Sequence, residues 1–166
     1  MCESAVIVTG AGNGIGLACA RGLLRDGSTV AATDIGEIPD ELAADGNCLP
    51  LSFDISSEDA CFNAVKATVE RFGRIRAVIH FAGIHHTKTW EEVTPEDFAR
   101  VYAVNTTGSF PIARAAAREM REAGGVELGG VALPKDIANV ARFLTSEDAR
   151  FMTDQIVPVN GGSAFE

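Results

Sequence analysis

Apolar and polar positions alternate between two rhythms along this chain. The run Val6-Ile7-Val8 leads into Thr9-Gly10-Ala11-Gly12-Asn13-Gly14-Ile15-Gly16, after which apolar residues recur at helical spacing: Ile15, Ala18, Cys19, Gly22 and Leu23. That order predicts strand, tight turn and helix. Asp26-Gly27 marks the helix end. Thr29–Asp34 reads as a second strand, and Ile38-Pro39-Asp40-Glu41-Leu42 as a short helix with proline in its first turn. Cys48–Asp54 is a third strand, and Pro50 assigns it to a sheet edge because proline cannot donate to a ladder. Ser56 or Ser57 caps the next helix, whose buried face is Cys61, Val65, Val69 and Phe72 and whose end is Gly73. Ala77–Gly83 is apolar without alternation, as expected of a central parallel strand covered on both faces.

The second half is more helical. Thr94-Pro95-Glu96-Asp97 combines a cap, a proline at the first position and two acids, a strong helix start. Phe98, Val101, Asn105 and Ile112 point toward one face, with a break expected near Thr106-Thr107-Gly108. Ala113–Ala123 is rich in helix formers and is stopped by Gly124-Gly125. Val126–Leu133 is too short for a strand, a turn and a helix. Pro134-Lys135-Asp136 opens another helix, with Ile137, Val140, Ala141 and Leu144 on one face, and Ser146–Ala149 reads as a capped turn. Gln155–Asn160 is a last strand, another edge candidate through Pro158. Strands alternating with helices in this way predict a doubly wound α/β domain with a parallel sheet.

Composition narrows the function classes. The 166 residues suffice for one domain, 1–166, and 46% hydrophobic with 22% charged residues is an ordinary globular balance. A net charge of −9 disfavours nucleic acid and anionic membrane as partners. No apolar run reaches the roughly 18 residues of a membrane span, and Met1-Cys2-Glu3-Ser4 does not resemble a signal peptide. Cys2, Cys19, Cys48 and Cys61 form no metal-like pairs and read as free thiols of a reducing, cytoplasmic compartment. His80 lies in a strand, and His85 and His86 are loop neighbours without a carboxylate at ligand spacing, so no metal site is expected.

The chemistry is concentrated in the glycine-dense turn. A helix starting there aims unpaired N–H groups and its positive dipole end at the turn, where an anion such as a pyrophosphate fits. Glycine is required because a side chain would block the approach of phosphate and of helix to strand. Asp34 follows Gly16 by 18 residues, near the spacing at which an acid accepts ribose hydroxyls in dinucleotide folds. No Lys or Arg lies between Ile35 and Pro39 or among Ala11, Gly12 and Asn13 to receive a 2′-phosphate, so NAD is expected over NADP.

These residues resemble the short-chain dehydrogenase/reductase family, in two blocks covering nearly the whole chain. Thr9-Gly10-x-x-x-Gly14-x-Gly16 is similar to its cofactor motif, and Asp34 stands where its NAD-preferring members carry an acid. Asp54-Ile55 resembles its adenine-contacting pair. Phe81-Ala82-Gly83 resembles its Asn-Ala-Gly, with Phe81 in place of asparagine. The stretch through Val104-Asn105-Thr106-Thr107-Gly108 is similar to the helix supplying its catalytic asparagine, here Asn105. From about Leu128 a second block resembles the family's C-terminal part: Pro134–Ala138, Phe143-Leu144, Thr153-Asp154-Gln155 and Val159-Asn160-Gly161-Gly162.

The resemblance implies a Rossmann-like parallel sheet in the order 3-2-1-4, with a C-terminal strand and an internal deletion near 125–130. It implies an NAD(H) site built from Thr9, Gly10, Gly12, Asn13, Gly14, Ile15, Gly16, Asp34, Ile35, Asp54, Ile55, Phe81, Ala82 and Gly83. The family's fifth and sixth strands, with the catalytic serine and Tyr-x-x-x-Lys, have no counterpart: the one tyrosine, Tyr102, is followed four residues later by Thr106. Asn105 is the remaining catalytic position, and an amide cannot replace an acid–base group. Three readings follow: an NAD(H)-binding chain with impaired catalysis; an NAD-dependent oxidoreductase of an alcohol or ketone substrate that this sequence represents incompletely; or a non-enzymatic protein assembling through an exposed sheet edge. Loss of central strands leaves the fourth strand without its neighbour, so a homo-oligomer is expected unless Gln155–Asn160 docks there.

Overall fold

The structure is a computed structural model and describes residues 4–124, 134–153 and 157. They fall into two compact units, Met1–Ala123 and Gly124–Glu166. The first holds a four-stranded parallel sheet of β1 (Ser4–Thr9), β2 (Val30–Asp34), β3 (Cys48–Ser52) and β4 (Arg74–His80), in the order β3-β2-β1-β4. Its helices are α1 (Gly14–Arg25), α2 (Asp40–Ala43), α3 (Glu58–Phe72), α4 (Pro95–Tyr102) and α5 (Ser109–Glu122). The expected order 3-2-1-4 is the one observed.

Alternation along β1 divides the interior into two cores. Ile7 packs with Ala31, Ile55, Cys61, Val65 and Ile112 on the side of α3 and α5. Val6 and Val8 pack with Ala20, Val30, Ala32 and Leu42 on the side of α1 and α2. Burial on both faces explains why β1 and β2 read as continuous apolar runs. Cys61, Val65 and Phe72 are buried as expected, Val69 half-buried, and Ser57 rather than Ser56 caps α3 by accepting from the Ala60 N–H. Gly73 ends that helix with φ 82°.

Pro50 sits on the edge strand, paired in register with Ala32. Phe53 N–H donates to the Asp34 carbonyl and Val30 N–H to the Asn47 carbonyl, so residues 47, 49, 51 and 53 face β2. The missing N–H of Pro50 therefore falls on the outward side and forfeits no ladder bond.

Three expectations need correction. The inner face of α1 is Gly16 and Ala20 with Leu17, Cys19, Leu23 and Leu24 packed beside them, whereas Ile15 is 73% exposed and Ala18 is exposed. The fourth strand begins at Arg74, not Ala77, across a bulge that leaves Arg76 without a partner on β1. From Ala77 to His80 it is half-buried, because β4 closes one side of the described sheet rather than occupying its centre. The break expected near Gly108 is instead a π-helical turn, Ala103–Thr107, closed by Gly108 N–H donating to the Ala103 carbonyl at 2.8 Å.

In the second unit, α6 (Pro134–Leu144) starts at the expected proline and a 3₁₀ turn spans Glu147–Ala149. Val140 is half-buried, while Ile137 and Leu144 are exposed, so the expected apolar face is only partly covered among the described residues. The expected strand at Gln155–Asn160, the segment Val126–Leu133 and Cys2 lie outside the described residues. No described helix is long and apolar enough to cross a membrane.

Candidate nucleotide-binding site

The turn after β1 is a close three-way contact of backbones. Gly10 has φ 67°, and a β-carbon there would stand 2.8 Å from the Phe81 carbonyl carbon and the Ala82 nitrogen. At Gly16 a β-carbon would stand 2.1 Å from the Gly10 carbonyl oxygen, and at Gly12 2.9 Å from the Asp34 carboxyl. Only hydrogen fits at Gly10 and Gly16, where the obstacles are backbone, while a side chain at Gly12 would displace the Asp34 carboxylate. Gly14 is glycine for another reason, its φ of 55°, since a side chain there meets nothing within 4 Å.

Thr9, fully buried, ties this turn to the end of β4. Its hydroxyl oxygen accepts from the N–H groups of Phe81 and Ala82, both at 3.1 Å. With both acceptor sites used, its own proton goes to His80 Nδ1, 2.9 Å away. Burial pushes the His80 pKa down, which keeps that ring a neutral acceptor.

The start of α1 differs from those of α3 and α4. Ser57 caps α3, with Glu58 and Asp59 in its first turn, and Thr94 and Asp97 form a capping box on α4. Asn13, at the head of α1, makes no side-chain cap bond, and the first turn holds no acid. Intrahelical bonding begins with Leu17 N–H donating to the Asn13 carbonyl. The preceding N–H groups and the positive dipole end are thus left for an external anion.

A cleft of about 360 Å³ opens above this helix start. Of the expected residues, Thr9, Gly10, Asn13, Ile15, Gly16, Asp34, Ile35, Asp54, Ile55, Phe81, Ala82 and Gly83 all line it. Gly12 and Gly14 shape the turn without lining the cleft. The Asp34 carboxylate accepts from Gly12 N–H at 2.9 Å and Gly36 N–H at 3.0 Å, which fixes it at the rim with acceptor capacity to spare for hydroxyl groups. Asp54 accepts from the Ser56 hydroxyl at 2.7 Å and the Ser56 N–H at 2.9 Å, and these bonds hold its pKa below the ordinary carboxylate value, with a smaller contribution from the Arg100 charge. The sequence reading missed Thr33, Phe53, Ile84, Arg100 and Val104 in the lining. Arg100 and Val104 are four residues apart, so helical spacing alone carried the signal that they share a face.

Asn105 is not part of the lining. Its Oδ1 accepts from Ile84 N–H at 2.8 Å and its Nδ2 donates to the Ile84 carbonyl at 2.9 Å. Both ends of the amide are engaged with the loop after β4. Asn105→Ala is expected to cost about 1 kcal/mol of stability and to speed hydrogen exchange at the Ile84 amide, measured by urea denaturation and NMR. An unchanged Ile84 exchange rate would contradict this bracing. Among the described residues no group of three or more His, Cys, Asp and Glu could hold a metal ion.

A parallel sheet in this order, with a glycine turn at its switch point and an acid ending β2, defines a dinucleotide-binding α/β domain. The family described as short chain dehydrogenase matches residues 4–127, and this chain belongs to that family. It is 36% identical over 129 residues to versicolorin reductase stcU of Emericella nidulans, spanning 74% of this chain and 49% of that protein. A 3-ketoacyl-(acyl-carrier-protein) reductase from Brucella melitensis, complexed with NADH, superposes with a TM-score of 0.67 at 29% identity, covering 75% of this chain and 53% of that one. The chain thus spans about half the length of these relatives. The 2,5-dichloro-2,5-cyclohexadiene-1,4-diol dehydrogenase LinX of Sphingobium indicum is 25% identical over 235 aligned positions, which cover 94% of both chains. That alignment is far longer than 166 residues, so a long stretch of the relative has no counterpart here.

Proposed function

We propose that this chain binds NAD(H) in the cleft above α1 and is impaired as a dehydrogenase of small alcohols or ketones. The observation that carries the reading is the uncapped start of α1, which shares one cleft with the braced carboxylate of Asp34. The N–H groups of the helix start suit a pyrophosphate. Gly10, Gly12 and Gly16 leave the space that pyrophosphate needs, and Asp34 offers acceptors to ribose hydroxyls while repelling a 2′-phosphate. Bound nicotinamide would supply hydride chemistry. The chain's own residues orient the adenosine end, and no tyrosine–lysine pair at the family spacing is available to move the substrate proton.

NADH fluorescence is expected to rise on binding, with affinity about tenfold above that for NADPH, and with no alcohol or ketone turnover. Tighter binding of NADPH would overturn the cofactor preference, and turnover by this chain alone would overturn the impairment. The LinX alignment favours a second reading, a working NAD-dependent oxidoreductase of which this sequence is a part. An intact mass of 17.4 kDa supports the first reading and a heavier one the second. Cytoplasmic residence and a homo-oligomer belong to the same proposal; they rest on the free cysteines and on the unpaired side of β4 in the described sheet.

A further inference from the structure

Arg100, on α4, is the one Lys or Arg among the residues lining the cleft. It shares that lining with Phe53, Asp54, Ile55 and Val104. Among the described residues its guanidinium makes no ion pair, whereas Arg21 pairs with Glu41, Arg114 with Glu58 and Arg118 with Glu122. On Asp54, Oδ1 receives both Ser56 bonds, and Oδ2 accepts none among the described residues. The positive charge of Arg100 is nevertheless felt by that carboxyl. This end of the cleft therefore combines apolar walls, a vacant carboxylate acceptor and a planar cation. An anion alone would find the acid repulsive and the apolar walls of no use. A flat heterocycle bearing an amine donor uses all three features, because guanidinium stacks on aromatic faces.

We propose that Arg100 is a binding residue for the adenine of the dinucleotide, its guanidinium lying on the face of the ring whose edge meets Asp54. This rests on the dinucleotide reading above and adds to it a residue that reads the base. The pyrophosphate has its own partners at the start of α1, so Arg100 acts on the ring and not on the charge of the ligand.

The test is Arg100→Met in the full chain, titrated by fluorescence with NADH and with reduced nicotinamide mononucleotide, which keeps the dihydronicotinamide and lacks the adenine ring. NADH affinity is expected to fall about fivefold and that of the mononucleotide less than twofold. Arg100→Lys, which restores charge without the plane, is expected to leave the NADH loss largely in place. An exposed Arg100 without ion pairs leaves the urea midpoint unchanged in both variants. Unchanged NADH affinity in Arg100→Met, equal losses for NADH and the mononucleotide, or full recovery by Arg100→Lys would each overturn the assignment. Absence of NADH binding by the wild-type chain would bring down the dinucleotide reading itself, a result distinct from those three.

Discussion

Gly16→Ala is expected to lower stability by about 3 kcal/mol and to remove measurable NADH binding, whereas Gly22→Ala in the same helix stabilises the chain by about 0.5–1 kcal/mol. The two substitutions add the same methyl group to the same element. At Gly22 it meets nothing within 4 Å and improves helix propensity. At Gly16 it would overlap the Gly10 carbonyl, 2.1 Å away, and the Thr9 carbonyl at 3.1 Å. Both obstacles are backbone, so no side chain can swing aside. The helix start must retreat from β1, and the N–H groups it presents to the cleft retreat with it. Urea denaturation and fluorescence titration of the two variants decide the matter. If Gly16→Ala matched Gly22→Ala in both measurements, close contact of helix and strand would not be what the glycine secures. Were Gly16→Ala too unstable to titrate, its urea midpoint alone would still carry the comparison.

Thr9→Val should cost about 2 kcal/mol, with most of the loss recovered by Thr9→Ser. Valine keeps the shape and removes the hydroxyl. The Ala82 N–H then loses its acceptor, and the His80 Nδ1 loses its donor. Phe81 N–H retains a long bond of 3.3 Å to the Thr9 carbonyl, which limits the damage. The same contact ties stability to pH. His80 in the folded chain has a pKa below its ordinary value of about 6.5, so the unfolded chain binds the proton first as pH falls. This contribution is complete above the ordinary value and is lost as pH drops through it toward the folded pKa. Urea midpoints of the wild type should therefore decline across that window. His80→Gln, which cannot titrate, should flatten that decline; an unchanged slope would remove His80 as its source.

The sheet order was legible only through the resemblance to the dehydrogenase family; the residues themselves marked the glycine turn after β1, the acid that ends β2 and, through Pro50, the edge position of β3. The phase of the helices was not. Ile15 looks like the first member of an apolar stripe, yet Gly16 must face Gly10, and one residue's rotation of about 100° then carries Ile15 out to the cleft. Phe98 and Ile112 seem to continue one face, but a π-turn lies between them and resets the phase. Ile112 is fully buried and Phe98 is 68% exposed, stacked on Tyr102 with ring centroids 6.4 Å apart. Among the site residues, the turn and the two acids were readable because spacing and chemistry agree there. Arg100 was not, since a single arginine on a helix has the same sequence signature whether it faces solvent or a cleft. Asn105 was found by its motif, but its pairing with Ile84 depends on how a loop folds back, which no periodicity encodes.

Pro50 gives the sheet a polarity of growth. A chain laid against β3 would meet a position with no N–H to offer, whereas β4 has no such gap in its outward row. Among the described strands, extension at β3 is thus blocked by a single imino acid, whereas β4 carries no such block. Replacing that residue with any other would give the β3 margin a complete row of donors and make it a surface on which a further strand can pair.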